Sequence, residues 1–231
     1  MKPNLLFFGS SENSQIVKSA LEKAGYRLVD NLKSAQLIVV ADYGQKISQE
    51  TLEKIKFGGL NLHPSLLPAY RGATPAPYQI LNGAKESGIS IIKMVEEFDQ
   101  GPIVAQKPVK ILLQDTVKSL LRRCFTEGAK LLISTLPDYI EGKITSRPQP
   151  KDSPTPYCHK FTKKDGFVSW EEFKHGVDDK KIRAFYPWPG VWTTMPNGKI
   201  LKLLPKNMVQ LEGKNPISLK QFKNGYSHLL K

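Results

Sequence analysis

Gln36 to Ala41 reads Q-L-I-V-V-A, apolar at every position after the first. A strand of that kind must be covered on both faces, as an inner strand of a parallel sheet is. Its neighbours fit the same plan. Asn4 to Gly9 (NLLFFG) is a second short apolar run ending in Gly and Ser, and it reads as a buried strand. From Ser10 to Gly25 the apolar residues Ile16, Val17, Ala20, Leu21 and Ala24 recur at helical spacing. Ser11 or Asn13 caps the start of that helix and Gly25 ends it. Arg27 to Asp30 gives a short strand, Ser48 to Lys54 a short helix, and Gly59 to His63 (GLNLH) a third good strand. Strands alternating with helical segments point to an α/β fold with a parallel, doubly wound sheet.

The pattern continues past a loop, Pro64 to Pro75, that holds three prolines and Gly72. A helix is expected from Pro75 to Asn82, with proline at the permitted first turn. Two further strands, Ile89 to Met94 and Ile103 to Ile111, flank the turn Asp99–Gln100–Gly101–Pro102. Asp115–Thr116 opens a long helix to about Leu136, whose apolar stripe is Val117, Leu120, Leu121, Phe125, Leu131 and Leu132. Arg147 to Pro156 carries four prolines in ten residues, the composition of a stiff extended connector. Beyond it the character changes. Asp165–Gly166 and Asn197–Gly198 are hairpin-type turns, interrupted by one short helix near Val177 to Phe185, so a small, mainly β module is expected. Trp188, between two prolines, reads as a packing anchor between the two parts. His175 and His228 lie in polar surroundings and read as surface residues.

Composition narrows the class. With 231 residues, 40% hydrophobic and 24% charged, the chain excludes wholesale disorder and collagen-like repeats and is long enough to bury a core. No apolar run approaches the roughly 20 residues of a spanning helix. Leu5 to Phe8 is shorter than a signal-peptide core, so the chain reads as cytoplasmic. Two cysteines, Cys124 and Cys158, make neither a disulfide framework nor a four-cysteine zinc site, which indicates a reducing compartment. Cys158–His159 with Cys124 fits no metal-ligand spacing, so no metal is expected. The net charge is +13, and it is uneven: residues 150–231 hold 15 basic and 7 acidic side chains, against 19 and 14 in the longer remainder. Such a segment attracts nucleic acid or an anionic membrane surface. The plain alternative is a lysine-rich solubilising surface.

Chemistry concentrates at one strand end. Asn61 and His63 are two apart on a strand and share one face. They stand at the carboxyl end of a parallel strand, where ligands of open α/β sheets bind. An amide donor, an imidazole and the carboxylate of Asp99 are sufficient for acyl transfer to an amine. The amide and a protonated imidazole stabilise the oxyanion of a tetrahedral intermediate. The carboxylate keeps the imidazole charged and helps relay the amine's proton. Competing readings exist: a strand-end histidine is often structural, and Asp before Gly-Pro is often a turn residue. Ser65 also invites a Ser-His-Asp hydrolase reading with His63 and Asp99, although no G-x-S-x-G elbow is present. Gly9–Ser10–Ser11 reads either as a phosphate cradle at a helix N-terminus or as a helix cap.

Asn61 to Pro75, N-L-H-P-S-L-L-P-A-Y-R-G-A-T-P, resembles the signature of the formyltransferases that use 10-formyltetrahydrofolate. Glu96 to Pro102 (EEFDQGP) resembles that family's second motif, and the 36 residues from His63 to Asp99 match its spacing. The resemblance implies that Asn61, His63 and Asp99 are catalytic. It implies a pterin site at Tyr43, Gly44 and Gln45, at Ser65, Leu66, Leu67 and Pro68, and at Met94, Val95 and Phe98. Arg71 to Pro75 resembles the methionyl-tRNA and sugar-nucleotide branches. Lys163–Lys164–Asp165–Gly166, Ile182 to Gly190 (IRAFYPWPG) and Val209 to Lys214 (VQLEGK) resemble the tRNA branch. The implied partners are initiator methionyl-tRNA and folate, with no metal and no membrane, and the implied state of the protein is a monomer. Gly9, Ser10, Arg71, Gly72, Lys163, Lys164, Arg183 and Lys214 are the implied substrate contacts. The implied fold is a Rossmann-like formyltransferase domain over residues 1–146, a Pro-rich linker over 147–156 and a basic, OB-like β-barrel over 157–231. One departure stands out. The family is longer between the first helix and the strand at Gln36–Ala41, where its tRNA enzymes carry a basic loop, so a sugar-nucleotide N-formyltransferase or a binding-only paralogue remains an alternative.

Overall fold

The computed structural model describes residues 2–230. They form two compact units. The first comprises the chain up to Ala76, then Lys85–Ile111 and Leu120–His159; the second comprises Pro77–Ala84, Leu112–Ser119 and the chain from Lys160 onward.

In chain order the elements are β1 (Leu5–Phe8), α1 (Glu12–Lys23), β2 (Leu28–Val29), β3 (Leu37–Ala41), α2 (Gln49–Glu53), β4 (Gly59–His63), α3 (Pro75–Leu81), β5 (Glu86–Lys93), β6 (Ile103–Lys110) and α4 (Val117–Ile140). The strands make one six-stranded sheet in the order β2-β1-β3-β4-β5-β6. The all-apolar strand is β3, buried at every position between parallel neighbours β1 and β4. Ser11 is the cap of α1, its hydroxyl accepting from the Ser14 N–H, and Ser48 caps α2 in the same way. The parallel pattern holds only as far as β4. β5 runs antiparallel to β4, and β6 antiparallel to β5. A mixed sheet with an antiparallel edge of this kind is common, because a short turn joins β5 to β6 without a crossover helix.

Asn61, on β4, pairs across the sheet with Val40 and Ile92. Val40 belongs to an apolar cluster with Leu6, Ile38, Leu52 and Ile55, while Ile92 clusters with Leu67 and Ile103. Asn61 and His63 therefore interrupt an otherwise apolar sheet face. Leu62 points the other way, beneath α4, where a Cβ on Gly128 would stand 3.3 Å from it and 2.7 Å from Ile89. The long helix passes its expected stop at Leu136, with Pro137 inside it. Tyr139 ties the last turn down by donating to the Phe57 carbonyl at 3.0 Å.

The second unit holds α5 (Trp170–His175), α6 (Asp179–Ala184), β7 (Val191–Thr194), β8 (Ile200–Leu204), β9 (Met208–Leu211), β10 (Ile217–Ser218) and α7 (Leu219–Gly225). Its strands form an open antiparallel sheet, β10-β9-β8-β7. Three sequence expectations need correction here. Asn197–Gly198 does turn the β7–β8 hairpin, but Asp165–Gly166 does not turn one: it closes a 3-10 helix, Lys163–Gly166. The Asp165 carboxylate accepts from the Thr162 N–H and hydroxyl. Gly166 is there for close approach, since a Cβ would stand 1.8 Å from the Gly190 carbonyl oxygen. Trp188 is 62% exposed beside the Lys163 ammonium, 5.8 Å from its ring centre, and is not a buried anchor. The module also has more helix than expected. Trp170, Phe173, Phe222 and Tyr226, from α5, α7 and the residue after α7, form a chain of ring contacts 4.8–6.0 Å apart. His175 and His228 are exposed, as expected. No helix among the described residues is long and apolar enough to cross a membrane.

Candidate active site

His63 ends β4 and is 4% exposed. Its Nδ1 faces Asp99 Oδ1 at 3.3 Å, and its Nε2 faces the Tyr70 carbonyl oxygen at 2.9 Å. Both ring nitrogens thus point at acceptors, an arrangement only the doubly protonated imidazolium satisfies. Burial, the largest influence, opposes the charged ring. The charge and hydrogen bond of Asp99, with the Tyr70 carbonyl, outweigh it, so the pKa of His63 is raised. Asp99 mirrors this. Burial opposes its ionisation, but the charge and hydrogen bond of His63, the Gly72 N–H and the Arg71 guanidinium together hold its pKa below the usual value. The Gly72 N–H donates to Asp99 Oδ2 at 2.8 Å. The two groups form a buried ion pair.

Asn61 stands beside them on the same strand face, half-buried. Its side-chain amide makes no hydrogen bond among the described residues. The trio expected from spacing is therefore assembled in one unit, with an unengaged amide donor next to a locked cation.

The loop after β4 is fastened from beneath. Ser90 on β5 donates to the Ser65 carbonyl at 2.6 Å and accepts from the Leu67 N–H at 3.0 Å. Gln106 on β6 donates to the Leu67 carbonyl and to Ser90 Oγ. Ser65 is buried and its hydroxyl donates to the Ala69 carbonyl at 2.7 Å, which removes the Ser-His-Asp hydrolase reading. Leu67 lies in the core, and the Leu66 side chain lies over Gly88. The side chains of Ser65, Leu66 and Leu67 thus shape the loop, and Pro68 follows them, half-buried. Tyr43 is half-buried and stacks on Phe8 at 5.3 Å, Gly44 and Gln45 are exposed, and Tyr43 donates to Gln45 Oε1 at 3.0 Å. Across from them Met94 and Val95 are half-buried and Phe98 is 51% exposed. Lys46 and Glu96 bridge these two loops at 3.1 Å. A cavity of about 510 Å³, lined by Lys56, Phe57, Lys93 and Tyr139 among others, opens near Gly59, at the far end of β4 from His63.

The expected substrate contacts divide between the units. Gly9 and Ser10 follow β1, at the carboxyl ends of β1 and β3 where the strand order reverses. Arg71 is buried, and its donors reach Gln149 Oε1 and the Lys151 and Pro150 carbonyls. Arg183 is also buried, held by Asp179 Oδ2 and the Asp115 carbonyl. Both guanidinium groups are thus held by partners within the chain. Gly72 keeps its N–H on Asp99. Lys163 donates to the Pro189 carbonyl at 2.9 Å, while Lys164 and Lys214 are exposed. Among the described residues no group of three or more His, Cys, Asp or Glu can hold a metal ion. Cys158 is buried, and burial together with the charge of Asp99 pushes its thiol pKa up to about 11, so it is no thiolate nucleophile.

The Asp99 turn depends on one close approach. A Cβ on Gly101 would lie 1.7 Å from the Lys93 carbonyl oxygen. Gly101→Ala is expected to destabilise the chain by at least about 1–3 kcal/mol, the range for forcing extra atoms into packed structure. A thermal melt should show this as a drop of several degrees; an unchanged melting temperature would contradict the geometry.

The formyl transferase family model matches residues 10–136. The chain belongs to the formyl transferase family. A second family model, the formyl transferase C-terminal domain, matches residues 160–208. The chain is 36% identical over 171 residues to a methionyl-tRNA formyltransferase of Enterococcus faecalis, covering 73% of this chain and 54% of that protein. It is 38% identical over 177 residues to the methionyl-tRNA formyltransferase of Streptococcus thermophilus, covering 76% and 55%. It thus spans about half the length of the curated relatives it matches. Among solved structures, HypX from Aquifex aeolicus in complex with tetrahydrofolic acid superposes with a TM-score of 0.73 at 21% identity, over 88% of this chain and 38% of that one. The formyltransferase PseJ from Anoxybacillus kamchatkensis, bound to a UDP-sugar and tetrahydrofolate, gives 0.57 at 26% identity over 68% and 85%.

Gln149 escaped the sequence reading, as did the roles of Ser90, Gln106 and the Tyr70 carbonyl. Gln149, Ser90 and Gln106 act through hydrogen bonds between segments remote in sequence, the Tyr70 carbonyl through a bond within its own loop, and no side-chain pattern marks any of them.

Proposed function

We propose that this chain transfers a formyl group from 10-formyltetrahydrofolate to the methionyl α-amine of initiator tRNA. The observation that carries the reading is the buried His63–Asp99 ion pair beside an unengaged Asn61 amide. A fixed cation and a free neutral donor on one strand face suit an oxyanion that develops only in the transition state. The names of the relatives favour methionyl-tRNA as acceptor. Exposed basic residues of the second unit, Lys164 and Lys214 among them, favour a polyanionic partner.

In this mechanism the unprotonated amine attacks the formyl carbon. Asn61 donates to the resulting oxyanion, and the positive charge of His63 stabilises it. Asp99 keeps His63 charged and orients the water that takes the amine's proton. The new C–N bond forms as the formyl carbon leaves N10, and a proton returned through water completes tetrahydrofolate. The Tyr43–Gln45 and Met94–Phe98 segments would hold the pterin, with Phe98 exposed for contact. The protein would act in the cytoplasm as a monomer, without a metal. The open sheet of the second unit would be the wall of the family's OB-like barrel.

The test is a formyl-transfer assay with 10-formyltetrahydrofolate and methionyl-initiator tRNA at two salt concentrations. Turnover that requires the tRNA and weakens steeply with salt is the expected result, because phosphate contacts release counterions. Turnover on a UDP-amino sugar with little salt dependence would transfer the assignment to sugar-nucleotide chemistry, which the likeness to PseJ keeps in view. Donor binding without turnover on any amine would leave a binding protein.

A further inference from the structure

The Pro-rich stretch expected as a connector, residues 147–156, is extended but not free. With the residues up to His159 it is a strap laid across the catalytic loop, inside the first unit. It starts by pairing Arg147 with Ile103, in both directions at 2.7 and 2.8 Å. Ser153 then donates to the Pro68 carbonyl at 2.8 Å, Thr155 Oγ1 accepts from the Tyr70 N–H at 2.6 Å, and the Cys158 N–H donates to the Arg71 carbonyl at 2.8 Å.

Gln149 sits where this strap crosses the site. Its Nε2 donates to the Asp99 carbonyl at 2.8 Å and to the Gly101 carbonyl at 2.7 Å. Its Oε1 accepts from Arg71 Nε at 3.3 Å and Nη2 at 2.9 Å. One amide thus ties the turn that carries Asp99 to the loop whose Gly72 N–H binds the Asp99 carboxylate. The backbone explains why a tie is needed. The two oxygens that hold the ring protons of His63 belong to Tyr70 and Asp99, and both residues lie in the left-handed region, at φ 60° and 59°. Side chains other than glycine seldom occupy that region unless their surroundings hold them there. Each is pinned by the strap, Asp99 through Gln149 and Tyr70 through Thr155.

We infer that Gln149 is a positioning residue for the reaction: acting with Thr155, it fixes the two acceptors that orient the imidazolium of His63. Its effect on rate rests on the formyl-transfer reading above, whereas its effect on the titration of His63 does not.

The experiment compares wild type with Gln149→Met, Thr155→Val and Thr155→Ser. It reads kcat and KM for formyl transfer, the melting temperature, and the His63 titration by NMR of the ring carbon. Gln149→Met should lower kcat by about 10²-fold, the usual cost of misplacing a reacting group by about 1 Å, with KM for the donor little changed. The titration of His63 should move to lower pH, because burial dominates once Asp99 loosens its hold. Thr155→Val should shift both readouts the same way by less, and Thr155→Ser should restore them. If Gln149→Met does not fold, Gln149→Asn keeps a neutral amide that is one methylene too short to bridge Arg71 and the Asp99–Gly101 turn, and the same shifts are expected. A folded variant of either kind with wild-type kcat and an unmoved titration overturns the inference, as does a fall in melting temperature alone. If the wild type forms no formylated product, the proposed function fails, and the titration still decides the role of Gln149.

Discussion

Asp99→Asn should cut formyl transfer by about 10²–10³ at pH 8, the cost of losing one well-placed electrostatic contributor. The substitution keeps the shape and leaves an oxygen to accept the Gly72 N–H. What it removes is the charge. His63 is then a buried cation with no anion beside it, and burial, already the strongest influence on it, drives the proton off. The neutral ring can still donate from Nε2 to the Tyr70 carbonyl and accept at Nδ1 from the new amide, but it carries no charge for an oxyanion. The pH dependence separates this account from simple damage. Wild type should lose activity on the alkaline side only above the raised pKa of His63, and the variant's alkaline limb should begin at lower pH. As pH falls towards 6 the variant should recover part of the gap. Stability carries the same signature. The folded pKa of His63 is raised, so its contribution is complete below the unfolded value of about 6.5 and is lost as pH rises through the folded pKa. The pKa of Asp99 is depressed, so its contribution is present above its unfolded value, near 4, and is lost as pH falls through the folded pKa. Denaturant midpoints of wild type and variant should therefore differ most between about pH 4 and 6.5 and converge above it. A variant that keeps more than a tenth of the activity at pH 8 with an unmoved limb would sink the ion-pair account.

The candidate trio was legible because two motifs resembling those of a known family carry it, and because its strand residues stand out locally. Polar residues at two alternate positions of a strand whose other members are apolar need no tertiary information to stand out. Likewise β3 follows from an apolar run and α1 from periodicity and a serine cap. The direction of β5 and β6 was not legible, because apolar alternation is the same in both directions and only the joining turn decides. The partners of Arg71 and Arg183 were hidden for a related reason. A basic residue in a motif invites a substrate role, but Arg71 reaches two backbone carbonyls and Gln149, Arg183 reaches one backbone carbonyl and the Asp179 carboxylate, and only folding brings those groups there. The strap was hidden by composition. Four prolines describe an extended chain equally well whether it crosses solvent or a protein surface, and the bonds of Gln149 and Thr155 decide between the two.

Asn61→Ala tests the remaining member of the trio and should behave differently from Asp99→Asn in every respect but rate. Its amide makes no hydrogen bond among the described residues, so removing it breaks none of those bonds, and the melting temperature should stay within a few degrees of wild type. Turnover should still fall by about 10²–10³, or about 2.7–4 kcal/mol of transition-state stabilisation, as when one oxyanion donor is deleted elsewhere. The loss should appear in kcat rather than in KM, since the bond forms only as charge develops on the formyl oxygen. The alkaline limb should not move, because Asn61 takes no part in the His63–Asp99 pair. The double variant Asn61→Ala/Asp99→Asn decides whether the groups act as one device. If Asn61 and the His63 cation stabilise the same oxyanion, the combined loss should be smaller than the product of the two single losses, because the second change removes support from an intermediate the first has already made inaccessible. Losses that multiply without interaction would show the two groups contributing independently, and the account of them as one cooperative device would have to be abandoned even if both single variants are slow.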